Sequence, residues 1–535
     1  MFRILKVDSL LFFFLLSISL ILLTGSYNNN AGQNIESYRK LIDSDYQLNF
    51  SDHKGGMSEI KLFNPELSLM VSLDGGDHFK PCPDVINLNE AAIRNLLDKS
   101  TSPRWLPNDG ELPEISSIRV IVVDHRKKLK SEQVVFTSVK NTDLELPVIS
   151  INTSEKGLFD WFQGIMVMGA RSTEQELYTE SWWDWNANYH ERGIEWERAA
   201  NVHYFEEGEL KLDQDCGIRI SGNATRGFPQ KSLRIHARKS YGKETLDYPF
   251  WSKGNNSSTS VVLRNSGNDN MRTLFADLLV HQLCRGSKVL VQEGRPVHVF
   301  INGNYWGIYN LRERIDENFI AQKEGWKNKS ITILEDGYGA LKEGSKNEKI
   351  RFDKLIGNLP TGALSDDDYE KLKEEISVKS FTDYIIFETF FANQDWPKNN
   401  AIWYCKKGKK WKWVLNDLDY SMAYPGMENI NANLFAKLKN DNTCTGGLFN
   451  ALMTNKQFKK KFVKRAKKML SDQLSAEKMK QKFSKLKASY ESEIELTIRR
   501  WRGIESKAQW EYFCDQNLQF LLGRREVYKQ QLEEL

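Results

Sequence analysis

The chain has 535 residues, of which 40% are hydrophobic and 12% aromatic, enough to build more than one core and to exclude wholesale disorder. Its 75 basic and 71 acidic side chains leave a formal charge of +4, which argues against a dedicated nucleic-acid binder. The six cysteines are widely scattered with no CxxC or Cys/His spacing, so no structural zinc site is expected and spacing dictates no disulfide pairing.

In chain order, Arg3 and Lys6 precede an apolar run, 10–23, that is followed by Thr24, Gly25 and Ser26. A basic start, an apolar middle and small residues predict a secretory signal over 1–26. The same run is close to the length of a spanning helix, so an uncleaved anchor is the other reading. Either way the bulk of the chain is expected outside the cytoplasm: secreted, at the cell surface or periplasmic. Residues 27–54 are polar and Asn-rich and read as a linker. From 55 to 143, short apolar runs at 67–73, 85–88, 118–123 and 133–137 alternate with turn residues, among them Asp74-Gly75-Gly76. That pattern predicts a small antiparallel β-sandwich serving as spacer or docking module.

A boundary falls at Leu146-Pro147, and residues 144–535 are expected to form an α+β domain. Strands are predicted at 148–152, 164–169, 199–205, 216–220, 232–237 and 261–265, and a helix at 271–284, where Leu274, Leu278, Leu279 and Leu283 recur at helical spacing. Asn302-Gly303 predicts a two-residue hairpin between 289–301 and 305–311, with a helix from Glu313 to about residue 322. The Trp- and Tyr-rich stretch 170–193 has no clear period. Residues 455–535 read as charged helices with Leu, Phe and Trp every three or four positions.

The most informative stretch is 390–424. A helix over 380–391 leads into a loop, then two Trp-rich strands joined by a basic turn, closed by Asn416-Asp417-Leu418-Asp419. The hairpin brings Asp395 and Asn400 near Asp417 and Asp419, an oxygen-rich set suited to a hard cation such as Mg²⁺. Asp395 and Asn400 have the spacing of the Asp and Asn in the protein-kinase catalytic loop, which accept the substrate proton and hold metal. The same residue types also cap turns.

Several ordered motifs resemble one family. They are Leu-Pro-Val-Ile-Ser-Ile at 146–151, Trp196-Glu-Arg, Cys216-Gly-Ile-Arg-Ile-Ser-Gly, Phe228-Pro-Gln-Lys-Ser-Leu-Arg, Leu263-Arg-Asn-Ser-Gly, Gly307-Ile-Tyr-Asn-Leu-Arg-Glu-Arg-Ile-Asp and the 393–419 stretch. Together they resemble the spore coat protein H (CotH) kinase family, which implies an atypical protein-kinase fold with a helical C-terminal part. Residues 55–143 resemble the fibronectin-like module at the end of chitobiases. By the kinase resemblance Lys231 would contact ATP phosphates with Glu313 as its ion-pair partner, and Arg234 and Arg264 would be further phosphate contacts. Asp395 would be the catalytic base, and Asn400, Asp417 and Asp419 would ligate Mg²⁺ or Mn²⁺. Lys231 also fits a solvated strand lysine, and Glu313 an acid at a helix start. The implied activity is transfer of the ATP γ-phosphoryl group to Ser/Thr hydroxyls of exported proteins. The alternatives are a non-catalytic surface scaffold and a metal-dependent phosphoesterase. No nucleic acid is expected as partner, and a membrane only through an uncleaved signal.

Overall fold

The computed structural model describes residues 67–82, 95–124, 129–139, 144–174, 181–251, 258–326, 330–425 and 430–535, with short strands at 35–36, 42–43, 46–47, 57–59 and 85–87. The expected signal at 1–26 lies outside the described residues.

At the N-terminal end, strands β1 (Ile35–Glu36), β2 (Leu67–Ser72), β3 (Lys80–Pro81), β4 (Ser116–Asp124) and β5 (Leu129–Val139) form one antiparallel sheet in the order β1-β5-β4-β2-β3. Strand β1 comes from the stretch read as a linker. Met57–Glu59 and Val85–Asn87 pair separately, and the expected two-layer sandwich is not seen among the described residues. The five-stranded sheet instead packs on the next domain. Arg119 Nε donates to Asn152 Oδ1 at 3.0 Å, and Asn152 Nδ2 donates to Ser117 Oγ at 3.0 Å. Ile115, Leu144, Val148, Phe205, Phe300 and Tyr305 form a shared apolar patch.

Seven strands then close a barrel: β6 (Val148–Thr153), β7 (Arg198–Glu206), β8 (Glu209–Ile220), β9 (Leu233–His236), β10 (Ser260–Arg264), β11 (Gly294–Ile301) and β12 (Asn304–Glu313). Neighbours are antiparallel except β6 and β11, whose parallel pairing closes the ring. Alternation along each strand sends Ile218, Ile220, Leu233, Ile235, Leu263 and Leu311 into the barrel core. The predicted Asn302-Gly303 turn joins β11 to β12.

Helix α1 (Glu155–Phe159) is a single turn, and the predicted strand 164–169 is instead a run of turns, held by Ile165 and Met166 N–H groups on the Gly157 and Leu158 carbonyls. The helix expected from 271 begins later, as α2 (Ala276–Leu283). The reason is Asp269. Its buried carboxylate accepts from Thr273 N, Thr273 Oγ1 and Ala276 N, which fixes a looped entry before the first helical turn. Helix α3 (Glu317–Glu324) starts after Asp316, whose side chain caps Phe319 N at 3.0 Å, so Glu313 ends strand β12 and is not at a helix start.

The C-terminal half holds a four-stranded sheet in the order β14-β13-β15-β16: β13 (Ile331–Glu335), β14 (Ala340–Glu343), β15 (Ile402–Lys406) and β16 (Lys412–Val414). Around it pack α4 (Lys346–Gly357), α5 (Asp366–Glu375), α6 (Val378–Phe390), α7 (Leu434–Lys439), α8 (Cys444–Thr454), α9 (Lys456–Ser471), α10 (Ala476–Glu491), α11 (Ile494–Trp501) and α12 (Lys507–Glu533). Phe381, Phe387, Trp403, Trp413, Leu448 and Phe462 belong to one continuous core beneath them. The domain is thus a mixed α+β fold of a barrel joined to a largely helical half.

Candidate active site

A cleft of about 400 Å³ runs between the barrel and the helical half. Its barrel wall follows from strand register. Arg234 pairs with Val262, and Val262 with Arg312, across β9, β10 and β12, and Arg219 on β8, paired with Arg234, continues the row past the cleft's border. Paired residues share a face, so the alternation that buries the aliphatic side chains in the barrel lines up a row of cations outside it. Arg234, Arg264, Arg312 and Arg314 line the cleft, and Asn400, Ala401, Ile402, Asn416 and Asp336 form the opposite wall.

At one end, Arg264 Nη2 reaches Asp417 Oδ1 and Asp419 Oδ2, both at 2.5 Å. Asp419 also accepts from Asn268, through the backbone N–H and the side-chain amide, each at 3.0 Å. Burial raises the Asp419 carboxyl well above its ordinary range, as does the Asp417 charge beside it, while Arg264 opposes the rise. A second carboxylate, Asp277 on α2, lies behind Arg264 at 3.9 Å from its Nε. Asp277 also binds Arg312 Nη1 and accepts the Leu418 N–H at 2.8 Å. Burial alone would raise the Asp277 carboxyl, but Arg312, His281 and Arg264 hold it well below the carboxylate range. One buried anion therefore ties helix α2, strands β10 and β12 and the acidic turn together.

The other acidic loop leaves the C-terminus of α6. Asp395 accepts from Asn399 Nδ2 at 2.7 Å and from Asn400 Nδ2 at 3.2 Å. Lys437 on α7 clamps the loop, with Nζ donating to the Gln394 and Trp396 carbonyls at 2.8 and 2.7 Å. Two contacts join it to the acidic turn: Asn393 Nδ2 to the Asp417 carbonyl at 3.4 Å, and Gln394 N–H to the Tyr420 carbonyl at 3.1 Å. Ala392, Asn400, Asp417 and Met422 all have positive φ, between 55° and 63°. Left-handed backbone at four non-glycine positions in one place is the kind of local cost that functional loops carry.

A family model described as CotH kinase protein matches residues 218–528, more than half of the chain and all of the cleft residues named so far. The chain belongs to this family. No curated protein matches it. The match starts inside β8 and ends in α12, leaving the N-terminal sheet outside.

Within this CotH kinase domain, the residues expected to act together fall into separate groups. Asp417 and Asp419 meet on Arg264, Asp395 and Asn400 hydrogen-bond to each other, and the loops that carry the two pairs are joined through Asn393 and Gln394. Arg234 lies in the cleft wall. Lys231 does not reach the cleft. It is 1% exposed, its ammonium donates to the Arg226 and Phe228 carbonyls at 2.6 and 3.1 Å, and it lies 3.6 Å from the Tyr189 ring centroid. Burial, then the Arg226 charge, pushes its pKa well down. Glu313 pairs with Lys323 at 2.8 Å and accepts the Glu293 N–H at 2.7 Å, so no Lys231–Glu313 ion pair forms. The basic residue facing the acidic pair is Arg264, with Asp277 as its carboxylate neighbour. Asp277 carried no sequence signal beyond an acid on a helix, and Arg312 stood inside the motif at 307–316 without a role assigned to it. Arg264 was expected from the resemblance as a phosphate contact, and the glycine of its motif, Gly267, is where the backbone passes the carboxylate of Asp419.

Proposed function

We propose that this protein is an exported atypical protein kinase that transfers the γ-phosphoryl group of ATP to Ser/Thr hydroxyls of surface or extracellular proteins. The observation that carries this reading is the two-walled cleft: arginines on the barrel wall face amide and carboxylate groups on the wall opposite. Phosphoryl transfer needs little covalent help from the protein. It needs a nucleophile in line and charge compensation around the phosphates. In this reading Arg264 binds phosphate oxygens, Arg234 adds its charge from the border of the cleft, and Asp277 aims Arg264 from behind. Asp395, held by Asn399 and Asn400, accepts the proton of the attacking hydroxyl.

The donor chemistry fits a divalent cation. Among the described residues no three His, Cys, Asp or Glu side chains gather as a complete cage. Two carboxylates converging on one point, with an asparagine on the adjoining loop, suit Mg²⁺ or Mn²⁺, which take one or two carboxylates together with waters and substrate phosphates. Asp417, Asp419 and Asn400 would hold it. When bound, the ion would neutralise charge building on the transferred group. Export follows from the signal-like N-terminus, and a Ser/Thr-rich exported partner from the hydroxyl chemistry.

The test is protein-bound label after incubating the full chain with γ-labelled ATP, Mg²⁺ and a Ser/Thr-rich protein, beside Asp395→Asn. Labelled protein with wild type, reduced about 10²–10⁴-fold in the variant, is expected. Label released only as free phosphate would point to a phosphoesterase. No turnover and no nucleotide-dependent thermal shift would leave a scaffold.

A further inference from the structure

Next to the main cleft is a smaller pocket of about 100 Å³, far more than the roughly 10–15 Å³ that one water requires. Its walls include Asn188, Gly193, Trp196, Arg219 and Arg226, and it meets the cleft at Arg192 and Arg234, which line both. Four guanidinium groups thus surround a space large enough for one polyatomic ion.

Of the acids nearby, exposed Glu195 sits beside Gly193 and acts on Arg219 through its charge, while the others are already engaged. Glu191, which also lines the pocket, lies 2.8 Å from Arg171 Nε. Glu197 binds Arg238 at 2.7 Å and Arg219 at 3.3 Å. Arg226 spends its donors on the carbonyls of Gly222, Tyr189, Glu191 and Ile220, so it staples the wall and contributes charge. Arg234 differs. Among the described residues its one hydrogen bond is a 3.3 Å contact to Ser221 Oγ, and its buried Nε has no partner there. Burial, then the charges of Arg314, Arg219 and Arg226, lowers its pKa to about 9. Arg192 is exposed and holds only Asn223 Oδ1, at 3.1 Å. His236 does not compensate. Burial and the neighbouring arginines push its pKa down to about 2, so it is neutral and can accept from Arg219 Nη2 at 3.1 Å.

Clustered cations with unspent donors are costly unless an anion joins them, and guanidinium forks suit tetrahedral oxyanions. We propose that this side pocket is an oxyanion subsite, separate from the nucleotide's position, that takes a phosphoryl group, either as free phosphate or carried on the acceptor protein. Its being a second site rests on reading the main cleft as the nucleotide site.

The experiment is calorimetric titration of the full chain with inorganic phosphate, alone and with a saturating non-hydrolysable ATP analogue. Wild type is compared with Arg192→Gln and with Arg219→Gln, which lines the side pocket and not the cleft. Phosphate should bind with the analogue present, at least tenfold more weakly in both variants, and Arg219→Gln should keep the analogue affinity. Displacement of phosphate by the analogue would overturn the proposal, because the pocket would then be part of the nucleotide site. Undiminished phosphate affinity in Arg192→Gln, an exposed position with one side-chain hydrogen bond among the described residues, would also overturn it, as would no phosphate binding at all. Analogue binding is read in the same titrations, so a protein that binds phosphate in this way but no nucleotide would sink the kinase reading and leave the pocket standing. A phosphoserine peptide that competes with phosphate, where its serine counterpart does not, assigns the pocket to the acceptor. Lack of competition assigns it to free phosphate.

Discussion

Gly267 has φ +59°, and a Cβ there would lie 1.7 Å from Asp419 Oδ2 and 2.7 Å from Arg264 Nη2. Neither neighbour is free to yield, since Arg264 bridges both carboxylates and Asp419 is 4% exposed. Gly267→Ala should therefore separate Arg264 from Asp419, lower labelling activity at least tenfold and cost about 1–3 kcal/mol of stability, read from thermal unfolding. Glu388, on α6, makes a pH-dependent contribution. Its Oε2 accepts from Asn393 Nδ2 at 2.9 Å, its Oε1 is buried with no partner, and burial raises its pKa to about 8. The unfolded chain releases this proton near the ordinary glutamate value of 4.5, while the folded chain keeps it up to about pH 8. The folded state thus binds more protons in that window, and stability falls as pH rises through it. Glu388→Gln should flatten the fall in melting temperature between pH 5 and 8, a change on the order of a few kcal/mol at most.

Among the elements, the β15–β16 hairpin was the most legible. Trp403 and Trp413 are a cross-strand pair with ring centroids 4.7 Å apart, and both are fully buried, so the Trp-rich runs flanking a basic turn state both the strand and its core face. Helix α2 was less so. Its apolar spacing was visible, but its true start depends on Asp269 folding back on Thr273 and Ala276, which the periodicity of Leu274, Leu278 and Leu279 does not encode. The run at 164–169 failed for a related reason. Ile165 and Met166 are buried, yet their backbone groups bond to the turn just before them and not to a neighbouring strand. At this scale Asp277 is the joint. Asp277→Ala should leave Arg312, 1% exposed, as an uncompensated buried charge and cost about 3–5 kcal/mol in chemical denaturation. The same variant should weaken ATP-analogue binding, because Arg264 loses its rear partner.

Over the whole molecule, the helical C-terminus holds the Asp395 loop from a distance. Arg524 on α12 is fully buried and donates to the carbonyls of Thr389, Phe390 and Ile430 at 2.9, 3.0 and 2.5 Å, while the Tyr528 hydroxyl lies 2.7 Å from Thr389 Oγ1. These bonds satisfy the end of α6, from which the Asp395 loop departs. Arg524→Met should lower stability by roughly 3 kcal/mol or more, since two buried carbonyls and a part-buried one lose a charged donor, and should depress activity more than nucleotide affinity. By itself the sequence determined the α+β class, the hairpins, the helical tail and the acidic and amide residues of the cleft, because periodicity, turn chemistry and motif spacing are local. Tertiary structure decided which cation meets those acids. Lys231 and Arg264 are both basic residues at strand edges, and only the closing of the barrel shows that Lys231 turns into a cage of carbonyls while Arg264 faces Asp417 and Asp419. The direction of a side chain depends on register between strands far apart in sequence, and one residue of register moves it to the opposite face.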